Sequence, residues 1–99
     1  MQTFQETGLR QEILDAISIL GFVTPTPIQA QAIPHILTSD QDLIAAAQTG
    51  TGKTAAFGLP VLHHIDPEVS APQALILAPT RELCLQITKD ITNYAKKMK

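Results

Sequence analysis

The chain has 99 residues, 44% of them hydrophobic and 16% charged, which gives room for one small globular domain, not two, and excludes a disordered tail. Its net charge of −2 supplies no broad basic field, so any contact with nucleic acid has to be local. One cysteine, Cys84, allows no internal disulfide or zinc cluster, and without a secretion signal or an apolar run near the ~18 residues of a membrane span the expected setting is cytoplasmic.

Leu9, Ile13, Ile17 and Leu20 form one stripe of an amphipathic helix, which Gly21 would stop. The prolines at 25 and 27 make 22–27 an extended loop. A second helix follows, with Thr26 as N-cap, Pro27 in its first position and Gln29 three residues after the cap. Ile28, Ala32, Ile33, Ile36 and Leu37 would be its buried side, and Pro34 would bend it. After a polar turn, Asp42–Ala46 reads as a short buried strand, and a third helix covers roughly 52–65. A loop at 66–72 leads to a second wholly apolar strand at 73–78. The last helix starts near Arg81, with Leu83, Ile87, Ile91, Tyr94 and Met98 on one face. With one tyrosine, three phenylalanines and no tryptophan, the core must be mainly aliphatic. Both strands are apolar on both sides, as in a parallel sheet covered by helices, so the expected class is α/β.

Between the first strand and the third helix lies Ala47-Gln48-Thr49-Gly50-Thr51-Gly52-Lys53-Thr54. Strand, glycine loop and helix are the context of a phosphate-binding loop. Glycines let backbone N–H groups close on a phosphate, and the unpaired donors and dipole of the following helix add to the anion site. Lys53 offers a point charge to the β- and γ-phosphates, and the Thr54 hydroxyl offers a ligand to Mg²⁺. The strict pattern asks for glycine where this chain has Ala47. The structural alternative is a glycine-rich turn before an ordinary helix.

Two further stretches narrow the reading. One is Gly21-Phe22-Val23-Thr24-Pro25-Thr26-Pro27-Ile28-Gln29, with Phe4 seventeen residues before Gly21; the other is Ala78-Pro79-Thr80-Arg81-Glu82-Leu83-Cys84-Leu85-Gln86. In this order, with AQTGTGKT between them, they resemble the opening of the first RecA-like lobe of DEAD-box RNA helicases. They match that family's glutamine motif (4–29 here), motif I (47–54) and motif Ia (78–86), and the resemblance covers essentially the whole of 1–99. It implies the N-terminal portion of a RecA-like P-loop NTPase domain, with parallel strands flanked by helices. Alanine at the start of motif I is the family's own form.

The resemblance further implies an ATP-dependent RNA helicase that couples ATP binding and hydrolysis to RNA unwinding or remodelling. It would use ATP and Mg²⁺, hold the RNA backbone without reading its sequence, and work with a second RecA-like lobe. Gln29 becomes the adenine reader: its carbonyl can accept from an exocyclic amine while its NH₂ donates to a ring nitrogen. From the residues alone, Gln29 reads first as the capping-box partner of Thr26; the resemblance favours the adenine reader, and the two roles are compatible. Phe4 would stack on the adenine, where the plain alternative is a core anchor, and the backbone near Thr24 would meet the base edge. Residues 47–54 (Ala47, Gln48, Thr49, Gly50, Thr51, Gly52, Lys53 and Thr54) would hold the phosphates, with Lys53 and Thr54 the catalytic candidates and Thr54 the Mg²⁺ ligand. Pro79, Thr80 and Arg81 would meet RNA phosphates, although Thr80 also reads as a plain N-cap.

Other residues invite plainer readings. Adjacent histidines on a helix point about 100° apart, so His63 and His64 read as structural rather than as a joint metal site. Cys84 reads as a buried apolar filler. Lysines 96, 97 and 99 suit a helix C-terminus without any ligand.

No Asp-Glu-Ala-Asp segment is present. Turnover needs a positioned nucleophile and groups that stabilise charge at the γ-phosphate, so residues 1–99 alone are expected to lack hydrolysis and to be marginally stable. They read as the nucleotide-binding entrance of a longer protein. Another P-loop NTPase, or a non-catalytic ATP- or RNA-binding module, are the competing readings.

Overall fold

The computed structural model describes residues 3–45 and 52–98. Of the expected phosphate loop, Ala47, Gln48, Thr49, Gly50 and Thr51 therefore lie outside the described residues, and so does Ala46 at the end of the first expected strand. Among the described residues a 3₁₀ turn at Phe4–Thr7 precedes four helices: α1 at Gln11–Ile19, α2 at Pro27–Thr38, α3 at Lys53–His64 and α4 at Arg81–Tyr94.

The chain reversal after α1 follows from its glycine. Gly21 sits at φ 90°, a region open to glycine and costly for other residues. From there Gly21 N–H donates to the Ser18 carbonyl (3.0 Å) and Phe22 N–H to that of Ile17 (2.9 Å). That bond pair is a Schellman motif, and it commonly brings the residue after the glycine back onto the helix. Phe22 indeed packs on the core cluster that contains Ile17. Its ring lies 5.9 Å from that of Phe4 and 5.8 Å from that of Tyr94, distances within the favourable range for aromatic pairs.

The rest of the core is aliphatic, as the composition requires. Ile13 and Ile17 of α1, Ile33 of α2 and Leu59 of α3 are all but completely buried, each stabilising the fold by roughly 1.5–3 kcal/mol. The stripe on α1 ends earlier than its spacing suggests, since Leu20 lies past the last turn and is exposed. On α2, Ala32 and Ile33 are buried while Ile28, Ile36 and Leu37 are partly so.

One expectation is not met among the described residues, and another, the burial of Cys84, needs correction. Among the described residues there is no strand: 42–45 and 73–78 run without a partner. Ile44 is 99% exposed, and Leu75 and Leu77 are each 83% exposed. Apolar side chains favour an extended backbone but cannot supply the neighbouring ladder that makes it a strand. Cys84 is exposed rather than buried. Residues 81–86 in the first turns of α4 are exposed, and burial on this helix begins only at Ile87.

Candidate functional site

The site is organised by the start of α2. Thr26 adopts an extended backbone (φ −69°, ψ 164°), and Pro27 takes the first helical position, where its missing N–H costs nothing. Thr26 Oγ1 accepts from Gln29 N–H (3.4 Å), and Gln29 Oε1 accepts in return from Thr26 N–H (3.0 Å). This is a complete capping box. It fixes the Gln29 carboxamide, which is only 4% exposed, and leaves its NH₂ free to reach another element.

That element is α3. Gln29 Nε2 donates to the Gly52 carbonyl at 3.3 Å. The same carbonyl accepts from Ala56 N–H at 3.1 Å, the first backbone bond of α3. Gln29 thus grips the point from which the helix carrying Lys53 and Thr54 begins. Gly52 is required there on two counts. Its φ is +87°, and a Cβ added to it would overlap Gln29 Nε2 and lie 3.2 Å from Thr26 Oγ1.

The carboxamide keeps one N–H and one lone pair beyond these bonds, since a primary amide has two of each. It can therefore cap α2, hold Gly52 and still offer one donor and one acceptor. Across from it, the first N–H groups of α3 have no partner within the helix, and Lys53 is exposed while Thr54 is partly buried.

Gln29, Gly52, Lys53 and Thr54 share one groove of about 740 Å³, whose apolar part includes Ile28, Ala32, Leu77 and Leu83. Phe22 and Tyr94 also line it, which their positions in sequence did not announce. Burial and, secondarily, the nearby Asp90 carboxylate push the Tyr94 hydroxyl up to about 12. Gln29, Lys53 and Thr54 thus meet at the junction of α2 and α3, while Gln86, Asp90 and Tyr94 bring polar groups to the α4 wall.

Among the described residues, the other expected site residues (Phe4, Thr24, Pro79, Thr80 and Arg81) do not line this groove. Phe4 is 3% exposed and packed on Phe22, so its core role is realised and stacking on a base would require it to give up burial. Thr24 is exposed in the loop before α2. Thr80 caps α4 by accepting from Leu83 N–H at 3.1 Å, beside exposed Pro79 and Arg81. Among the described residues no cluster of three His, Cys, Asp or Glu could hold a metal ion. Thr54 is compatible with Mg²⁺ that arrives with a phosphate chain, because that ion keeps most of its waters and takes few protein ligands. No helix of the described residues is long and apolar enough to cross a membrane.

Residues 26–99 match the family profile described as DEAD/DEAH box helicase. The chain is 52% identical to ATP-dependent RNA helicase DeaD of Escherichia coli strain K12 over 97 residues, covering 98% of this chain and 15% of that protein. It is 53% identical to DEAD-box ATP-dependent RNA helicase CshA of Geobacillus kaustophilus over 91 residues, covering 92% of this chain and 19% of that one. Among solved structures, S. cerevisiae Dbp5 bound to RNA and ADP BeF3 is similar with a TM-score of 0.95 and 40% identity, over 99% of this chain and 25% of that one. The chain thus spans less than a fifth of the length of these two curated relatives.

Proposed function

This chain belongs to the DEAD/DEAH box helicase family, and on that premise we propose that it is the nucleotide-binding part of an ATP-dependent RNA helicase. The observation that carries the reading is the Gln29 carboxamide, capped at Thr26 and bonded to the Gly52 carbonyl beside Lys53 and Thr54. One N–H and one lone pair remain for the adenine edge, while guanine presents a carbonyl where adenine presents an amine. Phe4, packed on Phe22, would support the base side and would give up part of its burial to stack on the adenine, and the backbone near Thr24 would meet the base edge.

Residues 47–54 hold the phosphates in this reading. Lys53 neutralises charge on the β- and γ-phosphates and Thr54 ligates Mg²⁺. When bound, the ion would neutralise charge that builds up on the phosphate oxygens. Segments 42–46 and 73–78 are strands of a parallel RecA-like sheet in the whole protein, which accounts for apolar side chains that stand exposed here. RNA phosphates would lie at Pro79, Thr80 and Arg81, where a capped helix start and a guanidinium bind charge without reading bases. Water activation and the remaining charge stabilisation require a second RecA-like lobe and further groups of this one.

The test is RNA-stimulated ATP hydrolysis by the full-length protein. Lys53→Ala is expected to abolish it while leaving the melting temperature unchanged, since the exposed Lys53 side chain contributes little packing. A folded variant that still hydrolyses ATP would remove Lys53 from the mechanism.

A further inference from the structure

The far end of α3 carries a contact that the nucleotide reading does not use. Arg10 N–H donates to His63 Nδ1 at 3.0 Å. A backbone amide can only donate, so this nitrogen must be unprotonated. The Arg10 guanidinium donates to the carbonyl of Ile65, the C-cap of α3, at 3.1 Å, and pairs with the Glu12 carboxylate at 3.0 Å. One residue therefore fastens the start of α1 to the end of α3 at two points, through its backbone and through its side chain.

α3 is a strut of 12 residues, about 18 Å long. Its first turn holds Lys53 and Thr54, and its last holds His63. The clamped segment runs back from Arg10 to Phe4, whose ring packs on Phe22, and Phe22 lines the groove beside Gln29. Releasing Arg10 would loosen the base side of the groove without touching Lys53.

We infer that neutral His63 is a positioning residue that holds the Phe4–Arg10 segment against α3, and that its protonation breaks the backbone half of this clamp, loosens the segment and weakens nucleotide binding on the base side. The inference rests on the nucleotide reading above. The environment agrees with it. Burial first, then the charges of His64 and Arg10, hold His63 below the ordinary 6.5. No charged group of α2 or α4 acts on it; Glu12 faces Arg10 from α1, and the His64 ring lies 5.3 Å away on α3 itself. A helix C-terminus favours a cation, but the guanidinium already occupies that position. Since the folded state disfavours the proton, the contribution of His63 is complete above pH 6.5 and is lost as the pH falls below it.

The experiment compares the full-length wild type with His63→Asn, whose amide oxygen can accept the Arg10 N–H but cannot titrate, and His63→Ala. Affinities for ATP and for inorganic tripolyphosphate are measured at pH 7.5 and 5.5. Titration of the ligand's own phosphates affects wild type and His63→Asn alike and cancels in their ratio. Equal ATP affinity at pH 7.5 and a roughly two- to tenfold weaker wild type at pH 5.5 are expected, with His63→Ala weak at both and tripolyphosphate binding the same for all three. Parallel pH dependence of wild type and His63→Asn, wild-type ATP affinity in His63→Ala at pH 7.5, or an equal loss for tripolyphosphate would each overturn the inference. ATP binding that survives Lys53→Ala undiminished would instead overturn the nucleotide reading and take this inference with it. Should a variant fail to fold, the imidazole resonance of wild-type His63 decides, with a midpoint below 6.5 expected and one at or above it contradicting the inference.

Discussion

The junction of α2 and α3 and the exposed segments at 42–45 and 73–78 both border one groove, yet they stand in opposite states. At the junction, Thr26, Gln29 and Gly52 satisfy one another through three hydrogen bonds and a glycine whose φ and close contacts any side chain would strain. Along the two segments, Ile44, Leu75 and Leu77 present apolar side chains to solvent and no strand neighbour is paired with them. The difference lies in where the partners come from. A capping box closes within four residues and forms wherever its helix starts, whereas a strand exists only by pairing with another stretch of chain.

The sharpest way to break this comparison is at Leu77. If 73–78 is a strand in the whole protein, Leu77→Ala there should cost about 2–5 kcal/mol, the range for emptying a core position. If Leu77 remains as exposed as it is here, the change should stay within about 0.5 kcal/mol. Denaturant unfolding of the two full-length proteins separates these outcomes.

Gly52→Ala probes the other side of the comparison. The left-handed backbone costs a side chain roughly 1–2 kcal/mol, and the displaced Gln29 amide adds about 1 kcal/mol more. A loss near 2–3 kcal/mol, with weakened nucleotide binding, is expected from thermal melts and titrations. An unchanged melt would mean that the junction is loose.

The smallest effect belongs to the groove's far wall. Tyr94 ionises near 12 instead of 10 because of burial and Asp90. The folded state thus holds the phenolic proton more tightly, so stability should be intact below pH 10 and decline as the pH rises from 10 towards 12. Tyr94→Phe should flatten that decline, and an identical alkaline profile for the two proteins would argue that the hydroxyl is solvated.

What could be read from the sequence follows the same division. The Thr26–Gln29 box, the stop at Gly21 and the cap at Thr80 were legible because each closes within a few residues. The bonds from Gln29 to Gly52 and from Arg10 to His63 were not, since they join residues 23 and 53 positions apart and periodicity carries no signal across such gaps. Cys84 misled for a related reason. Its residue type suits an apolar filler, but residue type does not say where along its length a helix meets its neighbours.

Base discrimination at Gln29 tests the central claim most directly. Dissociation constants for ATP and GTP are to be measured on the full-length protein and on Gln29→Ala, with Thr26→Ala as the variant that removes the cap alone. ATP should bind the wild type more tightly than GTP, by roughly the 1–3 kcal/mol of an unpaired polar contact. That preference should vanish in Gln29→Ala and survive in Thr26→Ala. Equal binding of ATP and GTP by the wild type would contradict the account.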